Sequence, residues 1–251
     1  MRIALLISIL ALSTNALWAQ EPARTDAPAE AEATVENLVP QEYEAALDEA
    51  VAKGLKYLAS QQTEEGYFKS KLGDNTGVTG LCLMAFLAAG HTPGNGPYGE
   101  VLNKGILYVA NTIRDDGYLL GKNTKSAMYA HTIATLMLSE ASGMVNPEIQ
   151  AQLDEALPPA LQLIISAQNV EKSPRHAGGW RYKANSRDSD LSCTGWPILA
   201  LRSARNNGAR VPQQVISGGV DYVLKTHRED NGGFSYQPGR GPNMGMTGVG
   251  V

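Results

Sequence analysis

Two aspartates two positions apart, in Asp188-Ser-Asp190-Leu-Ser192, are the residues of this chain best suited to acid chemistry. Two carboxyl groups with hydroxyls between them can hold a proton on one acid and support it by hydrogen bonds from the other. The same residues also suit the first turn of a helix. There Asp190 or Ser192 caps free backbone N–H groups, and the helix dipole favours the negative charge. The cap is the simpler account. Cys193 lies three residues after Asp190, on one face of a helical turn, and Trp196 follows one turn later. His131 lies well upstream in a separate apolar stretch, and His91, His176 and His227 carry no recognisable spacing. Cys82 and Cys193 are the only cysteines, each beside a recurring Thr. A disulfide between them is one reading. Two thiols buried on different helices is the favoured one.

These candidates must be positioned by a unit that recurs along the chain. Gly54-Leu-Lys-Tyr57-Leu aligns with Gly105-Ile-Leu-Tyr108-Val, Ala160-Leu-Gln-Leu163-Ile and Gly219-Val-Asp-Tyr222-Val. Each leads into a glycine turn with an aromatic residue: Gly66-Tyr-Phe, Gly117-Tyr, Gly178-Gly-Trp180 and Gly232-Gly-Phe234. Each turn leads into a second apolar stretch with a shared Thr, at Thr79, Thr132, Thr194 and Thr247. A period of this size means stacked supersecondary units, each too small to bury its own apolar face. The first half of each unit steps by three and four residues, as in Ala50, Gly54, Tyr57 and Leu58, which predicts an amphipathic helix. The second halves, such as Val78 to Gly90 and Met128 to Gly143, are apolar nearly all round, which predicts more deeply buried helices. Gly90 and Gly143, with Pro93 and Pro147 just beyond, mark their ends. The expected fold is all-α, a series of helix hairpins with an outer and an inner helix each. The glycine after the shared Thr (Gly80, Gly195, Gly248) would let neighbouring helices approach closely.

The remaining bulk features bound the rest. Arg2 followed by the apolar stretch Ile3–Leu12 and small residues up to Ala19 reads as an export signal spanning residues 1–19. The stretch is shorter than the roughly 20 residues a spanning helix needs, so cleavage is expected and no membrane-spanning segment after it. Residues 20–40, rich in Ala, Glu and Pro, read as an acidic linker. Net charge is −4 and no basic stripe is visible, so nucleic acid is not an expected partner. No P-loop, dinucleotide-binding glycine motif, Ser-His-Asp elbow or His-Glu-x-x-His occurs, and no cofactor is expected.

The repeat residues resemble a known family. Gly54, Tyr57, Leu58 and Gln61, followed by Gly66-Tyr67-Phe68, are similar to the repeat of squalene cyclases and protein prenyltransferase β-subunits. Gly178-Gly-Trp-Arg-Tyr182 followed by Asp190-Leu-Ser-Cys-Thr-Gly-Trp196 resembles the secreted bacterial prenyltransferase/squalene-oxidase-repeat proteins. The resemblance covers residues 45–251. It implies an α/α-toroid, with repeats near 45–93, 99–145, 151–211 and 212–251. Toroids of the family close with more helix pairs than the three and a half here, so the domain reads as truncated at its C-terminal end. The resemblance implies two activities. In a cyclase, Asp190 would protonate an alkene with Asp188 in support, and Trp196 would line the cavity for carbocations. Here Leu191 stands where the family motif has a third acid and Ser192 where it has Thr. In a prenyltransferase, Asp, Cys and His would hold zinc. The spacing of Asp190, Cys193 and His131 departs from that set, so a metal is not expected and His131 and Cys193 are kept as ligand-binding candidates. The reading adopted is an exported, non-catalytic toroid that binds an apolar isoprenoid-like ligand or a protein partner. The alternative is a terpenoid-cyclase-like isomerase using Asp190.

Overall fold

Eight helices, one short 3-10 turn and no extended strand make up the described part of the protein, residues 41–251 apart from 123 and 125, in a computed structural model. The expected signal and acidic linker, residues 1–40, lie outside the described residues. The helices are α1 (Gln41–Ser60), α2 (Thr76–Ala88), α3 (Gly99–Ala110), α4 (Ala127–Ala141), α5 (Pro147–Gln168), α6 (Leu191–Asn206), α7 (Gln213–Thr226) and α8 (Met244–Gly250). The chain divides into two units at Ala45, and of the first only the opening turn of α1 is described. Within the second, α4 packs against both α2 and α6, and α6 packs against α8, so alternate helices form one row. On the other side α3 packs on α2, α4 and α5, and α7 packs on α6.

Burial follows the sequence pattern. The outer helices bury a single stripe, for example Val215, Gly219, Tyr222 and Thr226 of α7. In contrast, α4 is buried along almost its whole length, from Met128 to Ala141. Two core clusters result. One centres on Phe68, Leu83, Phe86, Ile106 and Met137, the other on Trp180, Ile164, Leu201 and Val215. Gly90, Gly143 and Gly208 end the inner helices at φ near +84 to +90°, so the expected stops at Gly90 and Gly143 recur a third time. Two of the glycines after the shared Thr, Gly80 and Gly195, sit against the next inner helix, while Gly248 has nothing within 4 Å of an added Cβ. An added Cβ at Gly80 would lie 3.3 Å from Ile133, and one at Gly195 would lie 3.0 Å from Val249.

The glycine turns join one hairpin to the next. Gly66, Gly117 and Gly178 all adopt positive φ, and each presses on the backbone of the following outer helix. A Cβ would stand 2.5 Å from the Lys104 carbonyl oxygen, 2.8 Å from that of Pro159 and 2.2 Å from that of Gly218. A glutamine reinforces two of these junctions. Gln62 Nε2 donates to the carbonyls of Gly66 and Val101, and Gln168 Nε2 donates to those of Gly178 and Val215. The glutamine that bridges in the first unit is thus Gln62, one residue beyond the Gln61 of the sequence pattern. Among the described residues no helix is long and apolar enough to cross a membrane.

Candidate functional site

Asp190 is the N-cap of α6 and is fully buried. Its Oδ1 accepts from the Cys193 backbone N–H at 2.7 Å and from the Ser192 hydroxyl at 2.7 Å. Its Oδ2 accepts from Arg181 Nη1 and from the Tyr236 hydroxyl at 3.0 Å. Arg181 also reaches the half-exposed Asp188, with Nε 3.0 Å from Oδ2. The guanidinium lies over two rings, 4.6 Å from the centroid of Tyr182 and 5.5 Å from that of Tyr236. The Tyr182 and Tyr236 hydroxyls are 2.6 Å apart, and the Tyr129 hydroxyl donates to Ser192 Oγ at 2.6 Å. Three segments distant in sequence therefore converge: the turn before α6, the start of α4 and the loop after α7.

The electrostatics of the cluster follow from this geometry. Every group in contact with Asp190 donates to it, so both oxygens act as acceptors. Burial opposes the Arg181 charge, but the hydrogen bond and charge of Asp190, joined by Tyr236, outweigh it and hold Arg181 above the usual arginine range. Burial, followed by the hydrogen bonds to Tyr182 and Asp190, raises the Tyr236 phenol. Burial raises the Tyr129 phenol as well. Burial and then the Asp190 charge push the Cys193 thiol up to about 12, so it carries its proton at neutral pH and is a poor nucleophile or ligand. Cys82 on α2 is also a free thiol, raised by burial, and the disulfide alternative is not formed.

The position of Asp190 recurs in the first and fourth units. Asn75 caps α2 by accepting from the N–H groups of Gly77 and Val78, at 3.0 and 3.1 Å. Asn243 caps α8 by accepting from the Met246 N–H at 2.9 Å. Four residues after each cap stands the shared Thr. Its hydroxyl oxygen accepts the N–H of the turn residue: Phe68 onto Thr79 at 3.3 Å, Trp180 onto Thr194 at 3.1 Å and Phe234 onto Thr247 at 3.1 Å. Thr194 and Thr247 donate in turn to the carbonyls of their caps. The motif is a capping Asn or Asp, three residues, then Thr-Gly. The sequence reading found its second half and missed its first, though Asn75 and Asn243 stand at the same offset as Asp190.

The second unit departs from this pattern. The Leu119 N–H donates to His131 Nδ1 at 3.1 Å, so His131 and not Thr132 occupies the place of the shared Thr. This corrects the alignment by one residue. Thr132 instead bonds back to the Met128 carbonyl at 2.7 Å. His131 is fully buried, and its Nε2 lies 3.1 Å from the Ala160 carbonyl oxygen of α5. Both ring nitrogens are engaged by backbone.

Trp196 is half-buried on α6. It lines an open apolar groove of about 520 Å³ with Ser192, Leu199, Val220, Leu224 and Val249. A second groove of about 570 Å³ runs across α2, α4 and α6. Its floor is Met84, Leu87, Leu136 and Leu199, and Glu140 and Arg202 stand at its rim. Among the described residues no three His, Cys, Asp or Glu side chains are grouped to hold a metal ion. No family model matches the sequence, and no curated protein is found similar to it.

Proposed function

We propose that this chain is an exported binding module of the squalene-cyclase/prenyltransferase repeat type, an α/α-toroid in architecture, which holds an apolar ligand and does not transform it. One observation carries the reading. Asp190 occupies a cap position that Asn75 and Asn243 fill in the first and fourth units, and an amide cannot serve as a protonating acid. The position belongs to the architecture of the repeat. The groove across α2, α4 and α6 supports the binding half of the proposal, because it is mainly apolar and carries one charge of each sign at its edge. The cyclase-like alternative, with Asp190 as acid and Asp188 in support, draws on the complete burial of Asp190 and its pairing network.

A fluorescent farnesol analogue tests the proposal. Leu199 is half-exposed at the groove, so Leu199→Asp leaves the core intact while placing a charge on the apolar floor. Binding to the unmodified protein and at least a tenfold loss in Leu199→Asp are expected, since covering a charged carboxylate with an apolar ligand costs well over the roughly 1.4 kcal/mol of a tenfold change. No binding to the unmodified protein, or equal binding by both, would argue against the groove as the site.

A further inference from the structure

We propose that His131 makes the joint between the second hairpin turn and α5 sensitive to acid, a switch the other units lack. In units one, three and four the group accepting the turn N–H is a threonine hydroxyl, which does not titrate. In unit two it is an imidazole nitrogen. Accepting at Nδ1 requires the neutral ring with its proton on Nε2, and that N–H then donates to the Ala160 carbonyl. The ring therefore ties two elements together. Its grip on α5 lies beside a second contact, because Gly117 of the same turn sits on the carbonyl of Pro159.

Protonation turns Nδ1 from acceptor to donor and sets it against the Leu119 N–H with no partner for either. The surroundings offer the cation little. The Tyr118 ring meets the imidazole edge-on at 5.3 Å. From α5 the contact is a backbone carbonyl. The neighbouring positions of α2, which meet α4 at Ala130 and Ile133, are Gly77 and Gly80. Among the described residues the one charge felt at the ring is that of Asp116. Burial dominates and holds the ring at about 4, below the ordinary 6.5, against the opposing effects of the Ala160 hydrogen bond and Asp116. A base whose folded value is depressed contributes its full stability above 6.5 and loses it as pH falls toward 4. The joint is tight at neutral pH and loosens over that window.

The test uses the whole chain with His131→Asn, whose side-chain oxygen can accept the Leu119 N–H without titrating, and His131→Thr, the residue of the other units. Urea unfolding is followed at pH 7.5 and pH 5. Between these, the folded-to-unfolded ratio of the unmodified protein should fall about 30-fold more than that of either variant, the factor linkage gives for a ring moving from 6.5 to about 4. Parallel losses would overturn the proposal. Should neither variant fold, the unmodified protein decides by magnetic resonance. The ring should show the Nε2–H tautomer and titrate below pH 5, and the Leu119 amide should exchange faster over the same range after correction for intrinsic exchange. A ring titrating near 6.5, or Leu119 protection unchanged by acid, would overturn it.

Discussion

Gly178→Ala is expected to destabilise the protein by about 2–5 kcal/mol, a large share of the total stability of an ordinary domain. Two costs add. Gly178 holds φ at +94°, a region that costs an L-residue about 1–2 kcal/mol. Its added Cβ would also stand 2.2 Å from the Gly218 carbonyl oxygen, a backbone atom that cannot turn aside as a side chain can. Relief requires α7 to move off the turn, and overpacking of this kind costs about 1–3 kcal/mol. Gly232→Ala separates the two, because Gly232 has φ +70° with nothing within 4 Å of a Cβ. It should carry the strain alone, about 1–2 kcal/mol. Urea unfolding of the two variants measures the difference. Equal losses would mean that the close seating of turn on helix contributes nothing to joining the hairpins.

Asp190→Ala is expected to cost about 3–5 kcal/mol, because it breaks a buried pair and strips a cap at once. The Cys193 N–H and the Ser192 hydroxyl lose their acceptor, Tyr236 loses its bond to the carboxylate, and Arg181 keeps as its one carboxylate the half-exposed Asp188, beside the Tyr236 hydroxyl. Asp190→Asn should cost less, about 1–3 kcal/mol, since the amide oxygen still caps α6 as Asn75 caps α2 while the charge-assisted bond to Arg181 is given up. For a cap alone this change would be nearly neutral, because Asn caps about as well as Asp. The pairing with Arg181 is what raises its expected cost. Equal losses for the two substitutions would show that the cap bond has no separate value.

What was legible in the chain and what was not divides along a physical line. The hairpin order, the deep burial of α4 and the stops at Gly90 and Gly143 follow from periodicity and from the one residue type that tolerates positive φ, signals contained within a single segment. The glycine after the shared Thr is a close-approach residue at Gly80 and Gly195, while an added Cβ at Gly248 would meet nothing within 4 Å. The partnership of Asp190 with Arg181 and Tyr236 was not readable. Tyr236 arrives from the loop after α7, and loops of differing length leave no fixed offset to search for. The role of His131 was hidden for a different reason. An alignment by residue type sets Thr against Thr and selects Thr132, while the hydrogen bond selects whatever acceptor stands one turn into the helix. The capping asparagines were within reach, at four residues before Thr79 and Thr247, but a single Asn carries little weight until its partners are seen.

The most direct test of Asp190 as an architectural residue is incubation of the unmodified protein with squalene, followed by analysis for cyclised product. The expected result is none, with Asp190→Asn binding the farnesol analogue as the unmodified protein does. Cyclised product from the unmodified protein, lost in Asp190→Asn while the fold survives, would contradict it and establish Asp190 as the protonating acid.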